Sequence, residues 1–160
     1  MQRRYWLTGT IGIICGAFLA GAVMAVTGPD LMLRESVSPY GLQETVERIS
    51  QNATAHGWIV GSVMPLDRSI KKHGGGNVLP VRLVNLCQPQ HATRILEDDD
   101  SRIVSTMMPC TIAVYEKHDG KVYVGTMNAG LLGRLFGGVV ADVMGHAVDQ
   151  EQRSFIAFAQ

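Results

Sequence analysis

Residues 111–127, TIAVYEKHDGKVYVGTM, decide how this chain folds. Apolar and polar residues alternate, and β-branched and aromatic side chains are frequent, so 111–117 and 121–127 are expected as strands. Between them stands Asp119-Gly120. That dipeptide favours a tight type I′ hairpin turn, whose two central residues both need positive φ. A two-residue turn fixes the register: Ile112 then faces Met127, and Thr111 faces Asn128. An antiparallel sheet is the expected centre of the fold, with Cys110 and Met127 at one end of the hairpin.

Working backwards, 78–86 (VLPVRLVNL) is apolar enough for a central strand. Pro89 opens a helix running to Leu96, because proline suits the first helical position. The acidic run 97–100 follows. Carboxylates are unfavourable at a helix C-terminus, so a solvated loop is expected there. Segments 31–37 and 58–64 supply two further strands. Between them Leu42, Val46, Ile49 and Ala53 recur at helical spacing. Ser38 is expected to cap that helix, with Pro39 as its first residue and Gly57 as its stop. Asn52-Ala53-Thr54 has the form of a glycosylation sequon but falls inside the helix. A short basic turn of helix over 67–73 leads into Gly74-Gly75-Gly76, which lacks the Lys and Ser/Thr of a phosphate-binding loop. From Ala129 onward the pattern is helical and broadly apolar. Gly130, Gly133, Gly137 and Gly138 weaken that helix and suggest close packing, and Gly145 is expected to break it. The fold class is α+β, an antiparallel sheet backed by helices.

The N-terminal residues differ in character. From Leu7 to Val26 the chain reads LTGTIGIICGAFLAGAVMAV, with no charge and no proline. Such a run is long enough for a transmembrane helix. Arg3 and Arg4 precede it, and Tyr5 and Trp6 suit the membrane interface. The positive flank sets the N-terminus in the cytoplasm and residues 29–160 on the periplasmic side of a bacterial inner membrane. Residues 1–28 are then an uncleaved anchor. A cleaved signal peptide, cut near Val23-Met24-Ala25, is the competing reading, but the apolar run exceeds the usual signal core. Gly12, Gly16 and Ala20, four residues apart, offer a small-residue face to another membrane helix. Beyond Arg3 and Arg4 the chain carries 12 basic and 14 acidic residues, a net of −2. That balance argues against nucleic acid as a partner.

Cys87 and Cys110 are the only cysteines outside the apolar run. Cys87 stands two residues before Pro89, at the positive end of a helix dipole, which favours thiolate. His91 lies in the first turn of the same helix. If the strand 78–86 lies beside the hairpin, Cys87, His91, Cys110 and Met127 converge, with Met107 and Met108 nearby. Two thiolates, an imidazole and a thioether suit a soft metal, copper above all. The same cysteines suit a disulfide that is made and broken, or a thiol that carries sulfur. A purely structural, buried role for all four residues is the reading these residue types favour first. No Gly-x-Ser-x-Gly, His-Glu-x-x-His or dinucleotide-binding glycine motif is present, so no catalytic residue is assigned.

Four blocks in order, ETVERI after SPYG, NLCQPQHATRIL, MMPCTIAVYE and VYVGTMN, resemble the domain-of-unknown-function family 302. The resemblance spans about 31–158. It implies a compact α+β domain, often dimeric, and no known activity. Three functional readings follow. The first is a non-catalytic accessory subunit, docked by its single helix into a larger membrane complex. The second is a periplasmic redox or copper-handling module using Cys87 and Cys110. The third is a dimeric ligand-binding domain.

Overall fold

The computed structural model describes residues 31–159. Five strands form one antiparallel sheet: β1 (Leu33–Ser38), β2 (Ile59–Pro65), β3 (Val81–Cys87), β4 (Cys110–Glu116) and β5 (Val122–Met127). Their order across the sheet is β1-β5-β4-β3-β2. Helix α1 (Leu42–Ala55) joins β1 to β2, α2 (Leu66–Lys72) follows β2, and α3 (Pro89–Leu96) follows β3. A 3₁₀ helix over Asp99–Met107 returns to β4. After β5 come α4 (Ala129–Phe136), α5 (Gly138–Asp142), a π-helical turn (Val143–Val148) and α6 (Asp149–Phe155). The α+β class with helix-backed antiparallel strands is therefore observed, and residues Leu33–Gln160 form one unit.

Burial alternates along β4 and β5, because successive side chains leave opposite faces of a strand. Ile112, Val114, Val122 and Val124 point under the helices and meet Val46, Ile49 and Ala53 of α1. These three α1 residues are the apolar spacing noted in the sequence. Phe155 is fully buried and its ring lies edge-on to Trp58 at 5.5 Å, which ties α6 to the start of β2. Asn52 donates from Nδ2 to the Phe155 carbonyl at 3.0 Å, so this asparagine anchors a helix pair.

The helix α1 begins at Leu42 behind Gly41, not at Pro39. Ser38 ends β1 instead, buried, with its hydroxyl 2.7 Å from that of Thr45. Residues 97–100 are not wholly a loop, since the 3₁₀ helix starts at Asp99. The hairpin register is shifted by one: Tyr115 faces Tyr123 and Ala113 faces Gly125. The Lys117 amide donates to the Lys121 carbonyl at 3.1 Å, so three residues turn the chain. Gly120 alone among them has positive φ, +75°. A one-residue slip moves every side chain of a strand to the other face.

The chain does not break at Gly145 but at Gly137, where φ is +71°. Gly133 and Gly145 pack backbone to backbone; a Cβ on Gly133 would lie 2.5 Å from the Gly145 nitrogen. The proposed membrane segment and its Gly12/Gly16/Ala20 face lie outside the described residues. Among the described residues no helix is long and apolar enough to cross a membrane.

Candidate functional site

The end of β3 and the start of β4 meet because the two strands pair antiparallel, with Leu86 opposite Cys110. Cys87 is one residue past that pair. Strand alternation therefore sets the Cys87 side chain out of step with Cys110, and the two thiols share a cavity lining without being cross-strand partners. Both cysteines are free and half-buried. They border a small cavity of about 40 Å³ with His91, Met107, Met108 and Trp58. Val104 and Ile95, both fully buried, close it from the helical side. A space of that size admits an ion or a few atoms, whereas pockets for small-molecule ligands run to about 300–1,000 Å³.

The apolar walls set the chemistry of Cys110. Burial, reinforced by neighbouring Cys87, pushes its thiol up to about 11, so it is protonated at neutral pH. Cys87 lies next to the N-terminus of α3, but Gln88 holds the capping position. The Gln88 side-chain oxygen accepts from the backbone amides of Gln90 at 2.7 Å and His91 at 3.2 Å. These two amides point at Gln88 and not at the thiol. Gln88, between Cys87 and Pro89, thus takes the place at the helix start that the sequence suggests for the Cys87 thiol.

His91 is turned toward α6. Its Nε2 lies 3.2 Å from Oε2 of Glu151, the same oxygen that accepts from the Trp58 indole at 2.6 Å. The Trp58 and His91 rings meet edge to face at 6.0 Å. Glu151 therefore links β2's flank, α3 and α6 through two residues of the cavity lining, Trp58 and His91, a connection no local sequence motif announced.

Of the four residues singled out from sequence, the structure brings Cys87, His91 and Cys110 to one cavity. Met127 is not in its lining. The register explains why: Cys110 shares the helix-covered face with Ile112 and Val114, whereas Met127 is out of step with buried Val122, Val124 and Thr126. Met127 pairs with Leu33, which is 62 % exposed. Met107 and Met108 supply the thioethers instead. Among the described residues no three or more His, Cys, Asp or Glu side chains are grouped closely enough to hold a metal ion.

The profile of the family described as Domain of unknown function DUF302 matches residues 34–157. The chain belongs to this family. The match runs from β1 to the C-terminal helix and includes both cysteines of the cavity. A solved DUF302 structure, "Crystal structure of uncharacterized conserved protein DUF302 from Bacillus stearothermophilus", superposes with a TM-score of 0.69. It is 18 % identical, and the alignment covers 81 % of this chain and 98 % of that one. At that identity the likeness establishes the DUF302 fold. No curated protein matches the chain.

Proposed function

We propose that this DUF302 chain is a membrane-tethered accessory subunit whose periplasmic domain works through Cys87 and Cys110 as a reversible thiol pair. The observation that carries the reading is that two free cysteines line one apolar cavity. The tether, the inner-membrane location and the partner subunits rest on the apolar run Leu7–Val26 and on its Gly12/Gly16/Ala20 face.

The chemistry divides between the two thiols. Cys110 is held protonated by its surroundings, so Cys87 makes the first attack on a partner disulfide. One partner sulfur leaves as a thiolate, and a mixed disulfide forms. Cys110 then gives up its proton and displaces the second partner sulfur from Cys87. The products are a Cys87–Cys110 disulfide and a partner dithiol. Two electrons have moved to the partner, and the protons balance through solvent. A soft ion such as Cu(I) is the second reading, favoured by Met107 and Met108 in the same lining. It would displace the thiol protons on binding.

The test is trapping in intact membranes. A Cys110→Ser variant lacks the resolving thiol and should accumulate a mixed disulfide between Cys87 and a membrane partner, visible on non-reducing gels and identified by mass spectrometry. Cys87→Ser should trap nothing. Equal absence of adducts from both variants would remove the redox reading. A detergent-solubilised chain that purifies without any stoichiometric subunit would remove the accessory role.

A further inference from the structure

On the β1 edge of the sheet, β1, β5 and α6 leave a cleft of about 250 Å³ with a mixed polar and apolar lining. Arg34 and Thr126 are cross-strand partners on the helix-covered face of β1 and β5, and Ser36 is two residues along the same face. Gln152 and Arg153 of α6 line it as well, together with apolar Ile156, Ala157 and Ala159. The two arginines share one carboxylate. Arg34 donates to Asp149 at 2.5 Å, and Arg153 donates from Nε to its other oxygen at 3.0 Å. Arg34 also donates to the Asn128 side-chain oxygen at 2.5 Å. One positive charge is left uncompensated, and each guanidinium has five N–H donors, more than these contacts use.

Gln152 is the second observation. It is only 5 % exposed, yet its side chain makes no hydrogen bond to any described residue. Its amide is not sealed in the core, so the exposure it retains is toward the cleft it lines. An amide whose polar atoms reach the cleft and find no protein partner is available to bond whatever occupies the cleft, water or ligand. The hydroxyls of Ser36 and Thr126 stand on the same wall as further neutral donors.

We infer that this cleft binds a small oxyanion, the carboxylate or phosphate group of a ligand, held by Arg153 and Arg34 with Gln152 as a buried donor. Asp149 orients the two guanidiniums and leaves the site with a single net positive charge, which suits a singly charged group. The site is independent of the cysteine cavity.

The test uses the full chain in detergent, titrated calorimetrically with sodium phosphate and with sodium acetate against sodium chloride at equal ionic strength. Phosphate, acetate or both should bind saturably, and which one binds tells the two ligand sources apart. Arg153→Gln, at an arginine whose side chain is 64 % exposed, should weaken that binding about tenfold, the scale of a lost charge-assisted hydrogen bond. Gln152→Leu should weaken it by a similar factor, and Arg48→Gln, on α1, should leave it unchanged. No response beyond chloride would overturn the inference, as would binding that survives both substitutions in the cleft.

Discussion

The cysteine cavity and the arginine cleft both lie under the helical layer, but they control charge by opposite means. Around Cys110 the walls are apolar, and burial holds the thiol neutral, up to about 11. Around Asp149 burial also pushes the carboxyl upward. There it is outweighed by hydrogen bonds from Arg34, Arg153 and the Gly130 amide, and the group is held below the ordinary carboxylate range. Desolvation alone therefore does not fix protonation; the donors within reach decide whether the charged form survives. One site stores protons on sulfur, and the other stores a fixed ion pair.

The largest effect that would sharpen this contrast comes from the apolar side. Leu86 is fully buried and borders the cysteine cavity. Leu86→Ala should cost about 2–5 kcal/mol in denaturant unfolding, the range for deleting a core leucine. A loss under 1 kcal/mol would mean the cavity is loosely packed. On the polar side, Asp149→Ala leaves two guanidiniums without their shared carboxylate and should cost about 1–3 kcal/mol. Asp149 also gives that side a pH signature. A carboxyl with lowered folded-state pKa stabilises the fold above its unfolded value near 3.9, and the benefit is lost as pH falls through the folded value. Asp149→Asn should thus flatten the decline in stability below about pH 4.

Cys110 predicts the reverse direction. Its folded pKa is raised above the unfolded value near 8.5. Its contribution is intact below that pH and is lost as pH rises toward about 11. Cys110→Ser should reduce the loss of stability in that alkaline window. Smaller still, Trp58→Phe keeps a ring against Phe155 but removes the indole bond to Glu151. It should cost about 1 kcal/mol. The exposed Glu44–Arg48 pair on α1 sets the floor. Glu44→Gln should change stability by no more than about 0.5 kcal/mol, in either direction.

Much of the frame was legible in sequence. Strand alternation around Asp119-Gly120, the helical spacing of Leu42, Val46, Ile49 and Ala53, and Pro89 as a helix start each express a local rule, and each reappears in the fold. That Cys87 and Cys110 line one cavity follows from β3 lying beside β4, although it is Leu86 that faces Cys110. What failed was finer than a local pattern. Asp-Gly permits a two-residue turn and also a three-residue turn with glycine last. The chain adopts the latter, and that single residue took Met127 off the face that carries Cys110. The Gln88 cap preempted the amides assigned to Cys87, because side-chain capping competes directly with any other group at a helix start. The arginine cleft left no trace at all. Arg34, Thr126 and Gln152 come from three distant segments, and only the β1–β5 register and the packing of α6 assemble them.

The most direct test of the central claim is a redox titration of the full chain carrying Cys15→Ser, in glutathione buffers of graded potential, followed by alkylation and mass spectrometry. The expected result is a single two-electron transition between free thiols and an intramolecular Cys87–Cys110 disulfide. If both thiols remain fully alkylated at the most oxidising potential, or if only disulfides between chains appear, Cys87 and Cys110 are not a working pair.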